Sequence, residues 1–166
     1  LVITPKMSFG TGHHETTQMM ISFLLDLNCN NKSVLDMGTG TGVLGILAEK
    51  KGAKAVLAVD NDPWCVENTQ ENLELNKCFK SKTELNNTVP LKNTFDMVLA
   101  NINRNVLLEQ ISDYGHILVP EGDLLLSGFY FEDLGMIQNA CHREGFRFIR
   151  NLEKKNWVAA YFTKHE

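Results

Sequence analysis

The sequence has no apolar run approaching the roughly 20 residues that a bilayer-crossing helix needs, so no membrane partner is expected. Its four cysteines, Cys29, Cys65, Cys78 and Cys141, lie far apart without a C-x-x-C pair, which argues against a zinc ribbon and against a dense disulfide frame. Reduced thiols in a cytosolic protein are expected instead. Basic residues are in deficit, 16 Lys and Arg against 20 Asp and Glu for a formal net charge of -4, and they are scattered rather than striped. Direct nucleic-acid binding by this chain is therefore not expected. The opening residues Leu1-Val2-Ile3-Thr4-Pro5 have neither an initiator methionine nor the basic and apolar regions of a signal peptide. A piece of a longer, cytoplasmic protein is the expectation.

What is present is one domain's worth of chain, 166 residues with 43% hydrophobic content. Short β-type runs alternate with amphipathic ones throughout, the pattern of a parallel sheet covered by helices. Thr16 or Thr17 is expected to cap a first helix, with Met20, Phe23, Leu24 and Leu27 on its apolar face, that ends within 28–31. Then come a strand SVLDM (33–37), a helix over 43–51 closed by Gly52, and a strand AVLAVD (55–60). Asp62 and Pro63 supply an N-cap and a first-turn proline for a helix reaching 75–76. One weak strand falls within 79–91, a clear one at FDMVLA (95–100), a helix over 104–118, and a strand DLLLS (123–127). A helix over 132–144 leads to two β runs, 146–152 and 156–163, joined by the charged turn Glu153-Lys154-Lys155.

Between the first strand and its helix lies Asp36-Met37-Gly38-Thr39-Gly40-Thr41-Gly42, and Asp60 ends the next strand. Gly38 and Gly40 let backbone turn sharply and approach a ligand, while a carboxylate at the tip of the second strand can accept from both hydroxyls of a ribose. The run Gly40-Thr41-Gly42-Val43-Leu44-Gly45 also fits the G-x-G-x-x-G of a dinucleotide fold, so NAD competes for the site. Asp36, two residues before the first glycine, tips the balance, because a negative charge there repels a pyrophosphate and suits the ammonium and sulfonium of S-adenosylmethionine. Asn101, after the strand at 95–100, stands over the same crevice and can accept from an incoming amine. As a plain alternative, it is a strand-end residue, with Asn103 capping the next helix.

The segment Ser8-Phe9-Gly10-Thr11-Gly12-His13-His14-Glu15-Thr16-Thr17, before the first strand, packs glycines, histidines and threonines together. Adjacent residues rarely face one ion and no H-E-x-x-H spacing exists, so no metal is expected at His13, His14 and Glu15. The segment resembles the A-F-G-T-G-x-H-x-T-T of the ribosomal protein L11 methyltransferase (PrmA) family. The glycine-loop block VLDMGTGTGVLGILAEKKGAKAVLAVDNDP, FDMVLANI, DLLLSG and Trp157 are similar to that family as well. The resemblance covers nearly the whole chain. It implies a Rossmann-like class I S-adenosylmethionine-dependent methyltransferase, α/β, with a seven-stranded mostly parallel sheet and a C-terminal antiparallel hairpin. It further implies that the threonine-rich segment is a cofactor lid, with Thr17 touching S-adenosylmethionine, Gly38 beneath it, Asp60 on the ribose and Asn101 near the methyl group. Phe9, Gly10, Thr11 and Gly12 complete the wall. The implied substrate is a ribosomal protein, recognised through an N-terminal domain absent from these residues. A same-fold enzyme acting on another protein or a small molecule, and a cofactor-binding module without transfer, stay open. Departures from the family pattern are His13, Glu15 in place of a proline, and Asn103-Arg104-Asn105 in place of small residues.

Overall fold

The computed structural model describes residues 1–3 and 14–166. Helix α1 (Glu15–Asp26) precedes β1 (Ser33–Met37), α2 (Val43–Lys50), β2 (Ala55–Asp60), α3 (Pro63–Leu75) and β3 (Ser81–Leu85). There follow β4 (Phe95–Asn101), α4 (Arg104–Ile117), β5 (Leu118–Tyr130), a 3₁₀ turn (Phe131–Asp133), α5 (Leu134–Arg143), β6 (Phe146–Lys154) and β7 (Trp157–Lys164). The strands form a single sheet in the order β3-β2-β1-β4-β5-β7-β6. The first five run parallel. β7 enters antiparallel between β5 and β6. This is the seven-stranded, mostly parallel sheet with a C-terminal antiparallel hairpin that the family resemblance implies.

The central strands are apolar without a break because helices cover both of their faces. On one face Leu35, Val98, Ala100, Leu124 and Leu126 meet Leu107, Ile111 and Tyr114 of α4 and Ile137 of α5. On the other, Val34, Met97, Leu99 and Leu125 meet Met20, Phe23 and Leu24 of α1 and Leu44 and Ala48 of α2. Residues i and i+1 of each strand thus feed different cores, the period-2 rule of pleated chain. Since β1 sits between β2 and β4, the chain leaves it in both directions, and a crevice opens at the carboxyl ends of these strands. Among the described residues no helix is long and apolar enough to cross a membrane.

Four boundaries differ from the sequence expectation. The N-cap of α1 is His14 rather than Thr16 or Thr17, its Nδ1 accepting from the Thr16 N–H at 3.2 Å. The imidazole supplies the acceptor a threonine hydroxyl would have, and both threonines fall inside the first turn, buried. The same helix stops at Asp26 instead of within 28–31, because the Lys51 ammonium takes its terminal carbonyls: Leu24, Leu25 at 3.0 Å and Leu27 at 2.6 Å. β5 is longer than 123–127, since Leu118 finds Phe95 on β4 while Phe129 and Tyr130 find Val158 and Trp157 on β7. The hairpin turns on Lys155-Asn156, both left-handed at φ +51° and +70°, while Glu153 and Lys154 remain in the ladder.

Lys51 is a helix cap delivered from another helix's end, a charged donor on carbonyls that have no intrahelical partner. Substituting Lys51→Met should lower unfolding stability by about 2 kcal/mol, read as a shifted urea midpoint with an unchanged slope.

Candidate cofactor site

The loop from Gly38 to Gly42 joins β1 to α2 through three left-handed glycines, at φ +73°, +62° and +87° for Gly38, Gly40 and Gly42. Backbone N–H groups of Gly38 and Thr39 both donate to the Val59 carbonyl, at 2.8 and 3.0 Å, stitching the loop to β2. A Cβ on Gly38 would stand 2.2 Å from the Ile102 methyl, so only glycine lets the tip of β1 lie against the end of β4. From α3, Thr69 donates to the Gly40 carbonyl at 2.9 Å and Asn72 to the Thr41 carbonyl at 2.8 Å.

Two carboxylates complete the stitching. Asp36 Oδ2 accepts from the Thr39 hydroxyl at 2.7 Å and from the Gly45 N–H at 3.1 Å. Asp60 Oδ2 accepts from the Gly40 N–H at 3.0 Å, and its Oδ1 from the Asp62 N–H at 3.0 Å. Asp36 is expected from the sequence to face the ligand. Its carboxylate instead lies under the loop, 1% exposed, and is absent from the cavity wall. A strand residue two before the turn points to the face covered by α2, which is why Gly45 of that helix meets it. Burial, only partly offset by the hydrogen bonds from Thr39 and Gly45, pushes the Asp36 carboxyl up to about 6.

Above the loop is a cavity of about 550 Å³ that brings together Thr17, Gly38, Gly40, Asp60 and Asn101. Asn101, the last residue of β4, donates from Nδ2 to Thr17 Oγ1 at 3.2 Å, tying the strand end to the first turn of α1. Its carboxamide oxygen is the acceptor left over for another group. Of the expected wall, Phe9, Gly10, Thr11 and Gly12 lie outside the described residues, as does His13.

Several lining residues escaped the sequence reading. Asn86 and Asn87 directly follow β3, so the rule that ligands sit beyond the carboxyl ends of strands could have found them. Gln110 shares a face of α4 with Asn103 and Val106, at spacings of three and four, and its Oε1 accepts from the buried Tyr114 hydroxyl. A polar residue beside the buried run Leu107, Ile111 and Tyr114 was its signal. Cys65 lines the cavity with its thiol pushed up to about 12, by burial first and by Asp60 and Asp62 second. Nothing local reveals the next contact: His14 sets its ring against Trp157, centroids 5.0 Å apart, and Trp157 stacks on Tyr130 at 4.1 Å.

A glycine loop at the β1 to α2 turn, an acid ending β2, and this strand order together define the Rossmann-like class I methyltransferase fold. A solved structure described as ribosomal protein L11 methylase from Lactobacillus delbrueckii subsp. bulgaricus superposes with a TM-score of 0.91 at 27% identity, covering 99% of this chain and 84% of that one. A family model, Ribosomal protein L11 methyltransferase (PrmA), matches residues 1–165, and the chain belongs to that family. Relatives named ribosomal protein L11 methyltransferase include those of Phocaeicola vulgatus, 44% identical over 164 residues, and Porphyromonas gingivalis, 46% identical over 165. Each match covers 98% of this chain but only 58% and 57% of the relative, so the chain spans less than three-fifths of their length.

A carboxyl whose folded pKa lies above its unfolded value contributes stability that is fully present below the unfolded pKa and is lost as pH rises through the folded one. For Asp36 that window runs from the ordinary 3.8 up to about 6. Comparing the ligand-free protein with Asp36→Asn by urea unfolding, the stability difference should move by about 1.4 kcal/mol in favour of the unaltered protein between about pH 7.5 and about pH 5. A difference independent of pH would show that Asp36 is ordinary.

Proposed function

We infer that this chain is the catalytic domain of a cytoplasmic, S-adenosylmethionine-dependent N-methyltransferase. Its acceptors are amino groups of ribosomal protein L11, lysine side chains first and the terminal amine next. The observation that carries the reading is the bond between Asn101 and Thr17 beside the glycine loop and Asp60, in a chain of the PrmA family. Selection of the ribosomal protein falls to a recognition domain outside the matched region.

The residues present suit the cofactor's parts. Each Asp60 oxygen spends one acceptor site on a backbone N–H and keeps another for a ribose hydroxyl. Gly38 and Gly40 leave backbone open to close approach. Asp36, by holding Thr39 and Gly45, keeps the loop in shape rather than touching the ligand. When bound, S-adenosylmethionine supplies a methyl group activated on a positively charged sulfur, open to in-line displacement by a neutral amine.

The protein's own contribution is alignment and desolvation. A lysine amine, with a pKa of about 10.4 in water, is mostly protonated at neutral pH, and removal from water inside the cavity favours its free form. The Asn101 carboxamide oxygen accepts an N–H of that amine and so fixes where its lone pair points. Thr17 in turn fixes Asn101. The proton released goes to solvent, and no side chain is required as a general base.

Asn101→Ala should reduce turnover about a hundredfold, as removal of a single electrostatic donor or acceptor does elsewhere, while cofactor affinity stays within about tenfold. Unchanged turnover would remove Asn101 from the chemistry. Asp60→Ala should raise the dissociation constant for S-adenosylmethionine at least about tenfold by titration calorimetry. Thermal melts discriminate the cofactor itself: S-adenosylmethionine or its demethylated product should raise the melting temperature, and NAD should leave it unmoved.

A further inference from the structure

Beside the cofactor cavity lies a second, of about 450 Å³, and the two share Asn103, Gly128 and Trp157 as common wall. Gly128 lets them meet. At φ +103° its backbone passes so close to the Ile102 carbonyl that a Cβ would stand 1.9 Å from that oxygen. The outer cavity has two unlike sides. One is aromatic, formed by Tyr130 stacked on Trp157, with Tyr130 41% exposed at the surface. The other is a guanidinium held in place: Arg104 gives one N–H to Asp133 at 3.0 Å and another to Asn105 at 3.1 Å, and its remaining donors are uncommitted in a half-buried side chain.

We propose that this outer cavity is the acceptor subsite, seating the aliphatic stem of the lysine to be methylated together with its flanking peptide. The inference rests on the N-methyltransferase reading above. Tyr130 is the apolar wall for the methylene stem, and Arg104 donates to peptide carbonyls on the opposite side. Continuity selects this occupant, because a chain lying here passes Asn103 and enters the cofactor cavity two residues beyond Asn101. Size agrees: the volume is that of a ligand site, larger than one side chain needs and enough for adjoining backbone. Charge excludes a nucleic acid, since the cavity's one guanidinium is already paired with Asp133 in a chain of net charge -4. Both wall residues are distinct from the cofactor cavity, so their effect is separable from cofactor binding.

The test uses the full-length gene product with ribosomal protein L11, reading KM for that protein and, separately, the dissociation constant for S-adenosylmethionine. Tyr130→Ala should raise KM about tenfold while cofactor affinity stays within about twofold, and Tyr130→Phe should restore KM. Arg104→Met, at a half-buried position, should raise KM about fivefold by the same reading and serves if the tyrosine variant does not fold. An unchanged KM in both variants overturns the subsite. A parallel rise of KM and of the cofactor dissociation constant also overturns it, because Tyr130 would then only brace Trp157 in the cofactor wall. Absence of methyl transfer by the unaltered protein overturns the functional reading, and the subsite with it.

Discussion

Two buried carboxylates, Asp36 and Asp60, grip the turn between β1 and α2 from below and from the side, and the rest of the site takes its shape from that grip. A loop of three left-handed glycines has little conformational preference of its own and loses much entropy on ordering. Carboxylate acceptors on the Gly40 N–H and the Thr39 hydroxyl, together with Thr69 and Asn72 on its carbonyls, hold it in one geometry. The cost appears at Asp36, where burial makes the ionised form expensive enough to lift the carboxyl to about 6. Asp60 holds the loop through the Gly40 N–H and at the same time lines the cavity.

A second constraint acts from the opposite wall. The first turn of α1 must stand over the end of β4 if Thr17 is to meet Asn101, two residues 84 positions apart in the chain. Three contacts set that placement. Lys51 anchors the far end of the helix, Phe23 and Leu24 bury its middle against the sheet, and His14 both caps its start and leans on Trp157 of the hairpin. Lys155 adds an ion pair to Glu15 at 3.2 Å, a surface contact worth little energetically but consistent in direction. The helix and hairpin therefore position the Asn101 amide jointly, although neither contributes a sheet contact to β4's tip.

The terminal hairpin also has a second consequence. By inserting β7 antiparallel between β5 and β6, it carries Trp157 to the end of β5, opposite Tyr130. The stacked pair becomes the partition between the two cavities. Gly128 allows the partition to sit close to Ile102, and the β5 to β7 register shifts between Ser127 and Phe129 where that glycine turns.

Local sequence determined a good deal of this. Alternating apolar runs specified the order of strands and helices, Asp62 with Pro63 marked a helix start that the structure reproduces, and Gly38 with Asp60 identified the crevice. These features depend on periodicity, on caps and on backbone sterics, all of which act within a few residues. The extent of β5, the burial of Asp36 and the meeting of Asn101 with Thr17 depend on partners 9 to 84 residues away, fixed only when the helices pack on the sheet. The outer cavity is the extreme case. Its walls come from α4, the end of β5, the 3₁₀ turn and the start of β7, so it exists only once strand order and register bring those four segments to one edge.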